Sequence, residues 1–297
     1  MLEAPMRTAF VMSRSLTARF SRVAVAFGIV GGALVMTGQP SQSQTPSQAT
    51  SLGGFDAHYT LSVNSIRLGI FDWRTRIDQA SYSAEATGRA SGIFAMLLEG
   101  EGKIAAKGSV RDGKLQSSGY VSLLTRGKEK ASITMQVDNG RVRDLKIEET
   151  DPDNDRVPVT EAHKQDITDP LSALLIPAAD GDPLSGNACQ RKLSIFDGRR
   201  RFDLALSYRR NDKAAPEKGY SGPALVCAVA FTPIAGHRAS SPLLTFLIEG
   251  RDIEIWFVPV AGTRVLAPVR LSIASAIGTM LLRADRFETA DIVAGPL

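Results

Sequence analysis

The sequence predicts a mainly β fold: a strongly curved antiparallel sheet, open or closed into a barrel, with one or two short helices as plug or lid. Three observations predict this class. Apolar and polar residues alternate with period two in several segments. Asx-Gly pairs, which readily adopt the positive φ angles of tight hairpins, separate these segments. Breaks in the alternation and prolines within the apolar segments indicate bends.

The first 54 residues are predicted to precede the fold. Residues 1–44 hold four arginines and one glutamate, and an apolar run of 14 residues extends from Val23 to Met36. This run has the length of a signal-peptide core and is too short to span a bilayer. Residues 1–37 are therefore interpreted as a signal peptide, with an uncleaved amphipathic anchor as the alternative. Residues 38–54 carry no charge and are predicted to form a flexible tether.

Residues 55–290 are predicted to form a single β-rich domain, followed by a C-terminal tail of residues 291–297. Near its start the apolar positions change parity between Val63 and Ile66, which predicts a bulge at Asn64–Ser65 within one bent strand.

Tight turns and alternating segments continue along this domain. Hairpin turns are predicted at Asp112-Gly113, Asn139-Gly140 and Asp197-Gly198. Half-buried strands are predicted where the alternation is clearest, at 133–137, 202–208 and 265–273. Pro259 and Pro268 cannot donate to a ladder, so they predict strand edges or kinks.

Two short helices are predicted between the strands. Residues 91–98 have weak helical character, whereas Asp169–Ala178 has a capping aspartate followed by proline at the first helical position. Leu171, Leu174 and Leu175 would line one face of this second helix, which is interpreted as a plug or lid on the sheet.

The two cysteines, Cys189 and Cys227, have the parity of buried positions on strands that flank the Asp197-Gly198 turn. An even number of cysteines in an exported chain favours a disulfide, with two separate buried thiols as the alternative.

Motifs for catalysis and metal binding are absent from the sequence. The three histidines, His58, His163 and His237, lack metal-ligand spacing, and no nucleophile elbow or phosphate loop occurs. Residues 151–155 open like a calcium loop, but the required glycine and glutamate do not follow at their positions. The sequence thus predicts no catalytic residue, no metal and no cofactor.

The basic balance is concentrated at the N-terminus. The net charge is +4, and three of these charges lie in residues 1–44, so the remaining chain is nearly neutral and no nucleic-acid partner is predicted. One basic cluster remains around the third predicted turn, comprising Arg199, Arg200, Arg201, Arg209 and Arg210. It is either a solvated hairpin edge that deters strand pairing or a patch for anionic head groups or a protein partner.

Several segments together resemble a known family. They are Tyr59 with Gly69, the run DPLSALL at 169–175, Cys189, the run FDGRRRF at 196–202, Cys227, and the run PIAGHR at 233–238. In these segments the chain resembles the exported domain-of-unknown-function family 3108 (DUF3108) of Gram-negative bacteria, over residues 55–287. The resemblance implies a periplasmic, β-rich protein, and it implies no activity or catalytic residue.

Three functions are compatible with these observations. The favoured hypothesis is a periplasmic, non-enzymatic protein that supports the cell envelope and binds an acyl chain or another hydrophobic molecule in an apolar cavity. The alternative is a structural or interaction protein of the envelope with a packed core and a partner-binding arginine-rich hairpin. An enzyme with His58 or His237 as base has the least support, because a lone histidine does not make a catalytic site. No transmembrane span is predicted in the mature protein.

Overall fold

The computed structural model describes residues 51–91, 100–111, 113–149, 155–238, 240–249, 252–275 and 278–290. Fifteen strands occur in this part of the chain: Ser51–Val63 (β1), Ile66–Asp78 (β2), Ser81–Ala90 (β3), Gly100–Arg111 (β4), Lys114–Arg126 (β5), Glu129–Asp138 (β6), Arg141–Glu149 (β7), Ile176–Pro177 (β8), Arg191–Phe196 (β9), Arg201–Ala214 (β10), Lys218–Gly219 (β11), Gly222–Ala235 (β12), Asp252–Pro259 (β13), Val265–Ser275 (β14) and Gly278–Ala290 (β15). Two helices accompany them, Pro170–Ala173 (α1) and Pro242–Glu249 (α2), with 3-10 turns at Glu161–Lys164 and Gly186–Cys189.

The sheet consists of two antiparallel meanders. The first contains β1 to β7, the second contains β9, β10 and β12 to β15, and the two adjoin where β1 pairs with β15. The order of the sheet is β7-β6-β5-β4-β3-β2-β1-β15-β14-β13-β12-β10-β9, with the short β8 and β11 paired to β14 and β15. The first and last strands therefore pair with each other in the middle of the sheet, from Gly54 opposite Ala290 to Val63 opposite Met280. The prediction of a mainly β, antiparallel, curved sheet is confirmed. Among the described residues the sheet is open, because its edge strands β7 and β9 do not pair with each other.

The turn between β1 and β2 differs from the prediction. The parity change at Asn64–Ser65 is a two-residue hairpin turn, not a bulge within one strand, since Asn64 and Ser65 have φ of 47° and 68°. Positive φ at both central residues is the geometry of a tight hairpin, and asparagine tolerates it well. Asn139 and Gly140 adopt the same combination between β6 and β7, as predicted.

Strand β1 begins before the predicted start of the domain at Phe55. β1 starts at Ser51, so the assignment of Ser51–Gly54 to the tether is wrong. Gly53 and Gly54 are buried, and a Cβ at Gly53 would lie 1.9 Å from the carbonyl oxygen of Ala261. A glycine that looks like linker composition here permits close packing of two backbones.

A short segment connects the β6–β7 turn to the edge strand β9. The amide of Ile167 donates to the carbonyl of Gly140 at the β6–β7 turn, and Thr168 forms a parallel bridge with Ile195 on β9. The β6–β7 turn and the edge strand β9 are thus linked through Ile167–Thr168.

The main core fills the concave side of the sheet. Phe55 and Phe287 are fully buried and stack with centroids 5.0 Å apart, and Trp73 packs edge-on against Phe55 at 5.4 Å. The hydroxyl of the buried Tyr59 donates to the carbonyl of Pro268 at 2.6 Å, so this polar group is satisfied. The β14–β15 pairing begins only at Arg270, consistent with Pro268 as a kink.

Helix α1 is shorter than predicted. Asp169 caps it and Pro170 occupies its first position as expected, but the helix ends at Ala173, with Leu174 as its C-cap. Ile176 and Pro177 leave the helical path to pair with Leu266 and Val265 on β14. Tertiary pairing therefore overrides the helical pattern in the second half of the predicted segment.

The predicted disulfide is present. Cys189 and Cys227 are bonded and fully buried, with their Cα atoms 5.6 Å apart. They lie in a second apolar cluster with Leu206, Leu225 and Phe257. The bond ties the turn before β9 to the centre of β12.

Some predictions fall on other parts of the chain. The signal peptide, residues 38–50 of the tether, the weak helix over 92–98, the start of the calcium-like loop and the C-terminal tail lie outside the described residues. Among the described residues, no helix has the length and apolar character needed to cross a bilayer.

Candidate functional site

An apolar cavity lies beside the disulfide cluster, on the same face of the second meander. Its volume is about 530 Å³. Four neighbouring strands form its wall, and period two brings one set of side chains to this face. These side chains are Phe202 and Leu204 of β10, Val229, Phe231, Pro233 and Ala235 of β12, Ile253 and Ile255 of β13, and Leu271 and Ile273 of β14.

Helix α2 covers the opposite side of the cavity. It packs against β12 and β14, and its Leu244 and Leu247 line the cavity. This helix was not predicted from the sequence, although Ser241 followed by Pro242 is a strong start signal. The Ser241 side chain accepts from the amide of Leu244 at 3.4 Å, and its carbonyl accepts from the amide of Thr245 at 3.0 Å.

The three longest segments that carry the family resemblance all contribute to this cavity. The run at 169–175 supplies Pro170 and Leu174, the run at 196–202 supplies Asp197, Arg200, Arg201 and Phe202, and the run at 233–238 supplies Pro233, Ala235, His237 and Arg238. Residues that are far apart in the sequence thus meet around a single space.

The mouth of the cavity is positively charged. Four arginines and one aspartate line it: Arg156, Arg200, Arg201, Arg238 and Asp197. The aspartate also shapes its own turn, because its carboxylate accepts from the amides of Arg199 and Arg200 at 2.9 and 2.6 Å and from the Arg200 Nε at 3.0 Å.

Arg201 is held in place by a buried carboxylate. Its Nη1 lies 2.5 Å from Asp203 Oδ1, and the Nζ of Lys192 lies 2.7 Å from Asp203 Oδ2. Burial alone would raise the pKa of Asp203, but the hydrogen bonds from Lys192 and Arg201 outweigh it and hold the pKa below its usual range. One buried negative charge therefore faces two cations, and it balances the charge of Arg201 within the fold.

The predicted basic cluster is divided by the structure. Arg200 and Arg201 line the cavity, and Arg199 lies in the turn before them. Arg209 and Arg210 lie eight or nine residues further along β10, roughly 25–30 Å away on an extended strand. There the Nε of Arg209 and the Nη1 of Arg210 lie 2.8 and 2.7 Å from Glu254. The five arginines do not form one patch.

The predicted lid leucines are also divided. Leu171 and Leu175 are buried in the main core, whereas the half-buried Leu174 lines the cavity. Helix α1 itself contacts β3, β4, β5 and β9. It has the position of a plug, and α2 is the element that covers the cavity.

The histidines do not assemble a catalytic group. His58 pairs with the exposed Asp72 at 2.8 Å, and His163 Nδ1 accepts from the amide of Thr160 at 3.2 Å. His237 lines the cavity, and its buried Nδ1 has no hydrogen-bond partner among the described residues. The described part of the chain contains no group of three His, Cys, Asp or Glu side chains that could hold a metal ion.

The solved structures that resemble this chain include two of low identity. A crystal structure described as a β-barrel-like protein of domain of unknown function DUF1849 from Brucella abortus is 9% identical, covers 81% of this chain and 99% of its own length, and has a TM-score of 0.42. The hypothetical protein CT021 from Chlamydia trachomatis is 14% identical, with coverage of 82% and 92% and a TM-score of 0.25.

The sequence comparisons place the chain in one family. No curated protein matches it. Residues 55–285, which include all the strands of both meanders except the ends of β1 and β15, match the family described as Protein of unknown function (DUF3108). The chain therefore belongs to the DUF3108 family.

Proposed function

We propose that this protein binds a hydrophobic molecule in the cavity between the second meander and α2, and that it supports the cell envelope from the periplasm by binding and not by chemistry. The observation that carries the proposal is the cavity itself. Its volume of about 530 Å³ lies within the roughly 300–1,000 Å³ of small-molecule sites, and its wall is apolar with a few polar groups at the mouth.

The lining supports binding over catalysis. Among the described residues that line the cavity, Asp197 and His237 are the candidates for acid–base chemistry. Asp197 is engaged in its own turn, and His237 has neither a nucleophile nor an orienting carboxylate among its hydrogen bonds. The periplasmic location rests on the arginine-flanked apolar run at the N-terminus and on the disulfide.

The alternative, a partner-binding hairpin, has less support. Four arginines of the predicted cluster form ion pairs within the chain: Arg200 with Asp197, Arg201 with Asp203, Arg209 with Asp252, and Arg210 with Glu254. Their positive charge is already partly balanced, which weakens attraction to an acidic partner.

Binding can be tested with a cavity-filling variant and a matched control. Val229→Trp places a large ring in the cavity, whereas Ala230→Trp places the same ring on the exposed face of the same strand. The probe is N-phenyl-1-naphthylamine, a neutral apolar fluorophore, which is excited at its own absorption band and not through tryptophan. We expect it to bind the wild type and Ala230→Trp with equal affinity, and to bind Val229→Trp at least about tenfold more weakly. Urea unfolding would first establish that both variants fold.

Either of two outcomes would contradict the proposal: no binding to the wild type, or equal binding to both variants. Native mass spectrometry of protein secreted into the periplasm of its own host gives an independent check. We expect a co-purified hydrophobic molecule that is absent from Val229→Trp, and a bare chain in every preparation would count against the proposal.

A further inference from the structure

The cavity combines an apolar interior with a cationic mouth, and this combination specifies the ligand beyond its hydrophobicity. Resting on the proposed function, we propose that the site selects a single-chain anionic amphiphile, a long-chain carboxylate, whose alkyl chain fills the interior and whose carboxylate lies at the arginine rim.

The charges that line the cavity complement a carboxylate. Four arginines line the cavity, and two carboxylates, Asp197 and Asp203, pair with Arg200 and Arg201, so the arginines outnumber these carboxylates by two in a nearly neutral domain. Guanidinium groups bind carboxylates in a bidentate geometry, and an apolar wall strengthens such contacts because it lowers the local dielectric constant. A neutral ligand would leave this excess without a function in recognition.

The charged residues lie at one end of the apolar wall. Phe202 and Leu204 follow Arg200 and Arg201 on β10, and Pro233 and Ala235 precede His237 and Arg238 after β12. On both strands the charged residues stand at the same end, because Arg201 is opposite Ala235 in the ladder. The cavity is therefore polar at one end and apolar along its length, as a single-chain amphiphile requires.

An unsatisfied polar atom, the Nδ1 of His237, lies at the same end of the cavity. The Nδ1 of His237 is buried and lacks a hydrogen-bond partner among the described residues. Buried polar atoms are nearly always paired in native proteins. A ligand carboxylate at the rim would accept a hydrogen bond from this imidazole.

The size of the cavity favours one chain over two. At about 530 Å³ it lies in the lower half of the range for small-molecule sites. The ligand chosen for the test is accordingly dodecanoate, with 1-dodecanol as the neutral molecule of equal chain length. Both are measured by displacement of N-phenyl-1-naphthylamine, dodecanoate below its micelle concentration and dodecanol below its solubility limit.

The test compares rim arginines with arginines at the other end of the same strand. The rim variant is Arg200→Gln with Arg238→Gln, both exposed and both lining the cavity. The control is Arg209→Gln with Arg210→Gln, which removes the same charge from two residues that do not line the cavity. We expect dodecanoate to bind the wild type at least about tenfold more tightly than dodecanol, and the rim variant to lose about that factor for dodecanoate alone.

The outcomes separate this inference from the proposed function. If dodecanoate and dodecanol bind equally and the rim variant changes neither, the inference is wrong while hydrophobic binding stands. If the control variant weakens dodecanoate as much as the rim variant does, a general charge effect explains the preference and the inference also fails. If neither molecule binds and the fluorophore does not bind, the proposed function fails. Binding of the protein to phosphatidylglycerol vesicles without dodecanoate binding would indicate a membrane surface as the anionic partner and would overturn the proposal.

Discussion

The carbonyl oxygen of Arg199 occupies the space where a side chain at Gly236 would stand. A Cβ at Gly236 would lie 1.8 Å from this oxygen, and Gly236 has a φ of 74°. Its amide donates to the carbonyl of Val157 at 2.7 Å, and its carbonyl accepts from Arg156 at 2.8 Å. The backbone at this end of the cavity therefore requires glycine at position 236.

Gly236→Ala should destabilise the fold more than its backbone angle alone explains. Gly181 has a similar φ of 79° with nothing within 4 Å of its Cβ position, so Gly181→Ala isolates the cost of the left-handed conformation, about 1–2 kcal/mol. We expect Gly236→Ala to lose at least about 2 kcal/mol more, since the backbone at Arg199 must move. Urea unfolding of both variants measures the difference. Equal losses would show that Arg199 yields without cost.

Removing the disulfide should lower stability without reorganising the core. Cys189 and Cys227 are separated by 38 residues, and both side chains are buried. In the chain-entropy model a loop of this length contributes about 4 kcal/mol. We expect Cys189→Ala with Cys227→Ala to lose about this amount in urea unfolding. The wild type unfolded in the presence of a reductant should show the same midpoint, and a double variant as stable as the oxidised protein would contradict the prediction.

Local patterns in the sequence sufficed for much of the framework. Met135 and Val137 are buried and Thr134 and Gln136 are exposed as their alternation predicts, because period two reports directly which face of a strand is covered. The half-buried strand predicted over 265–273 is wrong for its first half, since Leu266 and Pro268 are buried together with Val265 and Val269. The hairpin at Asn139-Gly140 follows from the positive φ that both residues tolerate. The disulfide was predicted from the even number of cysteines and from the expectation of export, and neither depends on the tertiary fold.

The cavity could not be predicted in the same way. Its wall combines Phe202, Val229, Ile253 and Leu271, which lie on four strands and look in the sequence like ordinary core positions. Whether such residues touch each other or border an open space depends on how far α2 stands from the sheet, and no local pattern encodes that distance. Grouping the arginines failed for a related reason, since nearness in sequence is not nearness along an extended strand.

Asp169 should make stability depend on pH with an unusual sign. The side chain is fully buried, and burial raises the pKa of Asp169 although it accepts from the amides of Leu171 and Ser172 and from the Ser172 hydroxyl. A raised pKa in the folded state means that folding favours the protonated form. This contribution is present in full below the unfolded pKa of about 3.9, and it is lost as pH rises through the folded pKa.

Asp169→Asn removes this titration and keeps an acceptor for the helix cap. We expect the free energy of unfolding of Asp169→Asn, relative to the wild type, to increase as the pH rises above the unfolded pKa of about 3.9 and through the raised folded pKa. Asp169→Ala is the control: it also removes the titration but loses the cap, so it should lie below Asp169→Asn by about 0.5–2 kcal/mol at every pH. A difference between Asp169→Asn and the wild type that does not change with pH, or that falls as pH rises, would show that the pKa of Asp169 is not raised.

The division between plug and cavity can be measured with two leucines of one segment. Leu171 is 4% exposed and packs in the main core, so Leu171→Ala should cost about 2–5 kcal/mol by leaving a buried void. Leu174 is half-buried and borders a space that already exists, so Leu174→Ala removes fewer contacts and should cost about 1 kcal/mol.

The two variants should also separate in ligand binding. Leu174→Ala enlarges the cavity, and we expect it to change the affinity for N-phenyl-1-naphthylamine under conditions in which the protein stays folded. Leu171→Ala, measured at a temperature where it is equally folded, should leave the affinity unchanged, because its side chain does not reach the cavity. Equal unfolding losses together with equal binding effects would mean that the segment from Asp169 to Leu175 acts as one rigid unit, and that the plug and the cavity wall are not separate parts of the fold.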